Sequence, residues 1–202
     1  MRCNVMRLDD DKKNNVNDRE GADGLLLKLL KTRTILLCGE INKDMAERIV
    51  KQMLLLEAES DESIRLFIDS PGGDADAGYA IYDMLRFIKP DVFTIGMGTV
   101  ASAAALVHLA VEKKKRLSLP NAHFLIHQPL SGIRGVATEI EIHAREIEKL
   151  QDRINRLIAE ETGQKLSKVT KDTDRDYWLN AEEALQYGLI SRIVKSREEL
   201  GQ

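Results

Sequence analysis

Cysteine, proline and aromatic residues are scarce in this chain: two cysteines, four prolines and one tryptophan in 202 residues, with aromatics at 4%. Cys3 and Cys38 are too few for a disulfide framework, which points to a reducing compartment. Cys38, within Thr34-Ile-Leu-Leu-Cys38-Gly39, is expected to be a small buried hydrophobe. Neither sign of charge dominates. Thirty Lys and Arg against 33 Asp and Glu leave a net charge of -3, with no basic excess to suggest nucleic-acid binding. The longest mostly apolar run, Thr99 to Val111, carries a serine and a histidine and is too short to cross a bilayer. After Met1 to Leu8 comes Asp9-Asp-Asp-Lys-Lys-Asn-Asn15 rather than an apolar core, so no secretory pattern is read and the cytoplasm is the expected location. No G-x-x-x-x-G-K-[ST] occurs, so the chain is not expected to hydrolyse ATP.

What is present suits one domain: 43% of the residues are hydrophobic, enough for a sizeable core. Residues 1–24, rich in Asp and Asn, read as a mobile arm, and 25–202 as a single domain. Leu25 to Leu30 reads as a short helix. Strands are expected at Thr34 to Cys38, Ile64 to Ile68, Val92 to Ile95 and His123 to Ile126, with a last one at Leu189 to Val194. Between them, apolar residues at three- and four-residue spacing predict helices from about Asn42, Ala75 to Ile88, and Ser102 to Val111. Apolar strands alternating with helices imply a mainly parallel sheet covered on both faces. The segment Thr138 to Thr162 differs. Ile140, Ile147, Leu150, Ile154 and Leu157 make a narrow heptad-like stripe, closed by Gly163 as a C-cap, and this predicts a long protruding helix that packs against another. Asn180-Ala-Glu-Glu183 reads as a capping box for a last short helix.

Ser102 sits in Gly98-Thr-Val-Ala-Ser102-Ala-Ala-Ala105, between an apolar strand and an apolar helix. A nucleophilic serine needs small neighbours for a sharp strand-to-helix turn, and a helix N-terminus places free N–H groups beside its hydroxyl. Asp69-Ser-Pro-Gly-Gly-Asp74 ends another strand with two glycines, a second place where backbone N–H groups can approach a substrate. His127 follows a strand, so Ser102 and His127 both emerge at the carboxyl edge of a parallel sheet. His108 lies inside a helix, His123 opens a strand, and His143 sits on the long helix. Asp176 lies in a charged cluster with Asp172, Asp174 and Arg175, and Asp172 and Asp176 are both open as the third member of a triad.

These residues carry a resemblance to the proteolytic subunit of the Clp protease, from about Leu25 to Ser196. The matching segments include Asp69-Ser-Pro-Gly-Gly-Asp74, Phe87-Ile-Lys-Pro-Asp91, Gly98-x-x-Ala-Ser102, Ile126-His-Gln-Pro-Leu130, Glu141-Ile-His-Ala-Arg-Glu146, Thr162-Gly-Gln164 and Asp172-Thr-x-Arg-Asp176. The family's spacing, 25 residues from serine to histidine and 49 from histidine to aspartate, picks Asp176. The resemblance implies a serine endopeptidase with the triad Ser102, His127 and Asp176 and an oxyanion hole from the backbone N–H of Gly73 and Ala103. It implies an α/β, crotonase-like fold with a repeated β-β-α core and a protruding handle at about 131–162, including a strand from Gly132 to Gly135.

The same resemblance implies two stacked heptameric rings enclosing the catalytic sites, with axial pores lined by the N-terminal arm. Asp174, Arg175 and Glu139 are expected to join the rings. Unfolded polypeptide would be delivered by a separate hexameric AAA+ chaperone, which alone uses ATP; no cofactor or metal is expected. The chaperone's loop would dock in a pocket of Arg65, Phe67, Phe87, Ile95, Met97, Leu117 and Leu119. The chain departs from the family at Ala103 and Ala104, where methionine and then glycine or alanine are usual. Arg65 replaces an aromatic residue and Val136 a glutamine. Such changes fit one of two paralogous subunits sharing mixed rings; the alternative reading is a structural ring subunit that supports an active partner.

Overall fold

The computed structural model describes residues 24–200. The expected arm lies outside them, apart from Gly24, which opens helix α1 at 24–31. There follow β1 (Thr34–Cys38), α2 (Lys43–Glu59), β2 (Ile64–Ser70), α3 (Ala75–Phe87), β3 (Val92–Ala101), α4 (Ala103–His108), β4 (Arg116–Ser118) and β5 (His123–Ile126). The chain continues with α5 (Ala137–Thr162), α6 (Leu166–Asp172), β6 (Tyr177–Asn180), α7 (Ala181–Tyr187) and β7 (Arg192–Ile193). Side chains start the helices where the sequence offers them. Asn42 accepts from Met45 N at 2.9 Å, Asp74 from Ala77 N at 2.7 Å, and Asn180 from Glu183 N at 2.9 Å. Gly163 and Gly188 end α5 and α7 in the left-handed conformation.

The sheet runs β1-β2-β3-β4-β7, all neighbours parallel. The ten-residue β3 is where the sheet branches: Thr94–Gly96 pair with β4, and Thr99–Ala101 pair with β5, to which β6 adds antiparallel. A bulge between these halves makes the change of direction. Ile68 pairs with Gly96 but Ser70 with Val100, so β3 carries extra residues there. Gly98 turns at φ 54°, and the Asp69 carboxylate accepts from Thr99 N at 2.9 Å. A Cβ on Gly98 would lie 2.5 Å from that carboxylate, so glycine is required.

Several expectations need correction. Cys38 is exposed rather than buried. It ends β1 on the outward side of a burial alternation that buries Ile35 and Leu37 and exposes Leu36 and Cys38. The helix after Ser102 stops at His108, and the last strand keeps only Arg192 and Ile193. β4, α6 and β6 were not foreseen; they are short and lack a full period of pattern. No strand forms from Gly132 to Gly135, because a strand needs a ladder partner and none of the described residues supplies one there.

The long helix α5 has 26 residues, about 39 Å at 1.5 Å per residue. Its C-terminal half buries Ile154, Asn155, Ile158 and Thr162, while Ile140 and Ile142 in its first half stay exposed. Arg116, wholly buried on β4, anchors the far end of α5. Its guanidinium donates to Val111 O (2.7 Å) and Glu161 O (2.8 Å) and pairs with the Glu161 carboxylate. Burial lowers the pKa of Arg116 first, and Glu161 opposes the shift. A planar fork serves three directions that a lysine could not.

Candidate active site

β3 runs into α4 through Ser102, whose backbone sits at φ 56°, ψ -121°. That region is strained for a residue with a side chain, and it lifts the hydroxyl clear of the turn. Gly72 makes the turn possible. A Cβ there would lie 2.6 Å from Ala101 O and 2.7 Å from Ser102 Cβ. Gly78 on α3 faces Ala103 in the same way, a Cβ lying 3.1 Å from the alanine's own. Ser102 N donates to Leu125 O at 2.9 Å, which ties the serine to β5 two residues before His127.

His127 lies just past the end of β5, half-buried. Its Nε2 is 2.8 Å from Ser102 Oγ and its Nδ1 is 3.1 Å from Asp176 Oδ1. The fold thus brings together three residues that the sequence separates by 25 and 49 positions. Asp172, the competing acid, is held elsewhere: it accepts from Tyr187 OH at 2.9 Å and from Lys168 Nζ. Burial, and then the bond to Asp172, raises the Tyr187 pKa above the usual phenol range. Asp174 and Arg175 are exposed, and Arg175 donates to the carbonyl of Asp174. Glu139 accepts from Val136 N at 3.3 Å. Among the described residues no ion pair joins Asp174, Arg175 and Glu139.

Gly73 and Ala103 border the same cleft as Ser102. Ala103 N is the first helical amide of α4 and has no intrahelical acceptor. Gly73 bridges Ile41: Ile41 N donates to Gly72 O and Asp74 N to Ile41 O, both at 2.8 Å. In such a bridge the flanking residues make the bonds, so the N–H of Gly73 faces away from Ile41. Its φ of 144° and the contact a Cβ would make with Ile41 O both require glycine.

A cavity of about 540 Å³ opens beside Ser102 and His127, walled by Ala103, Leu125, Leu150, Ile154 and Ile158 among others. Leu150, Ile154 and Ile158 come from α5, so the long helix shapes the site. Gln128 and the polar residues behind it were missed by the sequence reading. Gln128 N donates to Thr173 O (2.7 Å) and its Nε2 to Asp174 O (2.6 Å), while Gln151 Nε2 donates to Gln128 Oε1 (3.3 Å). Buried Thr173 Oγ1 lies 2.8 Å from Asn155 Oδ1 on α5. Asn155, a polar residue beside the apolar stripe, was the available signal.

Of the remaining expected residues, Ile95 and Leu117 form a small buried cluster with Val194, against which Phe67 and Leu119 pack. Arg65 is half-buried on β2, in register with Phe93; Met97 is half-buried in the bulge, and Phe87 ends α3 with 78% of its surface exposed. No helix of the described residues is long and apolar enough to cross a membrane. Nor does any group of three or more His, Cys, Asp or Glu among them make a metal site.

A hydroxyl on a strained strand-to-helix turn, an imidazole against it and a carboxylate behind the imidazole define a serine peptidase. The chain belongs to the Clp protease family, whose profile matches residues 17–197. It is 60% identical over 197 residues to the ATP-dependent Clp protease proteolytic subunit 2 of Treponema denticola, covering 97% of each chain. It is 50% identical over 195 residues to proteolytic subunit 3 of Rhizobium meliloti, covering 96% of this chain and all of that one. A mutant of ClpP1 from Listeria monocytogenes superposes with a TM-score of 0.82 at 50% identity, over 87% of this chain and 99% of that one. The fold is therefore the α/β Clp protease fold with a handle helix.

Proposed function

We propose that Ser102 is the nucleophile that cleaves peptide bonds, with His127 as its general base and Asp176 orienting the imidazole. The 2.8 Å contact from Ser102 Oγ to His127 Nε2 carries this reading. His127 takes the serine proton as Oγ attacks the carbonyl, and returns it to the leaving amine. Asp176 fixes the tautomer through Nδ1 and stabilises the imidazolium. The N–H groups of Gly73 and Ala103 receive the oxyanion; one such donor is worth about 10²–10³ in rate. Water then hydrolyses the acyl-enzyme with His127 acting in reverse.

The relatives named as subunits of an ATP-dependent protease support a wider assembly. Two stacked heptameric rings would enclose the sites, with Asp174, Arg175 and Glu139 at the ring–ring contact. The exposed apolar side chains Ile140 and Ile142 on the first half of α5, and the 132–135 segment, which pairs with no strand among the described residues, are available for it. A hexameric AAA+ chaperone would supply unfolded polypeptide and all ATP hydrolysis, docking around Phe67, Ile95, Leu117 and Leu119, with Arg65, Phe87 and Met97 at the margin. The cytoplasm is the proposed location, and a paralogue sharing the rings remains part of the proposal.

The test is hydrolysis of a short fluorogenic peptide by the purified protein, with fluorophosphonate labelling of Ser102. Ser102→Ala should abolish both while native mass spectrometry still detects the rings. His127→Ala and Asp176→Asn should fall by powers of ten, because triad members act as a unit. Substantial hydrolysis by Ser102→Ala would overturn the assignment.

A further inference from the structure

The cavity beside Ser102 carries one charge that peptide hydrolysis does not require. Among the described residues its walls are aliphatic apart from Ser102, His127 and Asp74, and Asp74 is the one acidic residue of that lining. Leu106, Ile126, Ile154 and Ile158 are buried in its depth, whereas Asp74 is exposed at its mouth. One carboxylate oxygen of Asp74 caps α3 by accepting from Ala77 N at 2.7 Å. The other has no partner among the described residues. Capping does not need the charge, since an asparagine serves an N-cap as well.

We propose that Asp74 makes this site select its substrates by charge: a peptide that seats an apolar side chain in the cavity is cleaved faster when a neighbouring residue is Lys or Arg, and slower when it is Asp or Glu. The proposal rests on Ser102 being the nucleophile. The cavity's depth is apolar, so a cation buried there would lose its hydration without a partner. At the mouth a Lys or Arg can lay its stem on aliphatic surface and keep its head in water beside Asp74. Asp74 also follows Gly73 directly, so its charge stands next to the proposed oxyanion donor. A substrate cation offsets that repulsion as negative charge develops in the transition state. A substrate carboxylate adds to it.

The experiment uses the assembled protein and three fluorogenic peptides with one scissile leucine, differing only in an adjacent Lys, Gln or Glu. The quantity read is the Lys-to-Glu ratio of kcat/KM within each variant, so that changes in overall activity cancel. At low ionic strength the wild-type ratio should be about 10, as two partly screened contacts of opposite sign imply. In Asp74→Asn, which keeps the cap, it should fall to about 1–2. The wild-type ratio should also collapse between roughly 0.01 and 1 M salt, as the Debye length shrinks from about 30 to 3 Å. An unchanged ratio in Asp74→Asn, or a wild-type ratio near one at low salt, overturns the proposal. Should Asp74→Asn fail to assemble, the salt titration of the wild type decides. If the Gln peptide is cleaved independently of Ser102, the hydrolytic reading fails and the proposal falls with it; a Ser102-dependent Gln peptide with no charge preference sinks the proposal alone.

Discussion

The backbone N–H of Gln128 donates to the carbonyl of Thr173 over 2.7 Å, so the residue after the imidazole is tied to the residue three before the carboxylate. The loop bearing Asp176 is therefore held to the strand end bearing His127 by main chain. Thr173 is in turn seated on Asn155 of α5. Geometry at the site and packing of the long helix are one problem.

Removing the Thr173 hydroxyl should therefore slow catalysis more than it weakens binding. Thr173→Val keeps the shape and leaves buried Asn155 without its partner, a cost of about 1–3 kcal/mol. The expected result is a lower kcat at nearly constant KM for a short peptide. Thr173→Ser should restore the rate. A purely structural role would lower stability without this kcat–KM split.

Gly72→Ala tests the strained turn. The residue sits at φ 90°, and the added Cβ would meet Ser102 Cβ at 2.7 Å. The elbow must shift, and displacement of a reacting group by around 1 Å costs about 10² in rate. Fluorophosphonate labelling of Ser102 should slow by that order, and thermal unfolding should show lower stability.

Acid should weaken the fold through His108. Its ring is wholly buried against Phe124, with both nitrogens lacking hydrogen-bond partners among the described residues. Burial, assisted by the charge of Arg116, pushes its pKa down to about 3. The unfolded chain takes up a proton near pH 6.5 that the folded protein refuses until about pH 3. Stability present above pH 6.5 is thus lost as pH falls, by up to about 1.4 kcal/mol per unit. His108→Leu should remove that slope. Urea unfolding at pH 7, 6 and 5, at fixed protein concentration, should show the wild type losing ground to the variant.

Arg175→Ala tests the assembly. If Arg175 joins the rings, sedimentation should shift from double to single rings, and peptide hydrolysis should fall because Asp176 is the next residue. An unchanged double ring with full activity would contradict the proposed contact.

Strand and helix order was legible in the sequence because buried apolar residues recur at the period of each element: Ile64, Leu66 and Ile68 on β2, or Ile49, Met53 and Leu56 on α2. Ser102 was legible too, since a turn this tight tolerates only small neighbours, and the motifs around it pointed to the family. The sequence by itself also determined the caps at Asn180 and Gly163, which depend on local hydrogen bonds alone. Tertiary structure decided what depends on distant partners. Cys38 faces outward because β1 packs one face, Ile35 and Leu37, into the core and leaves the other, Leu36 and Cys38, open. Gly132 to Gly135 is no strand because no described residue offers it a ladder partner. Asp172 and Asp176 are chemically alike, and local pattern cannot rank them. Tyr187 and Lys168 take the first, and the Gln128–Thr173 bond turns the second toward His127.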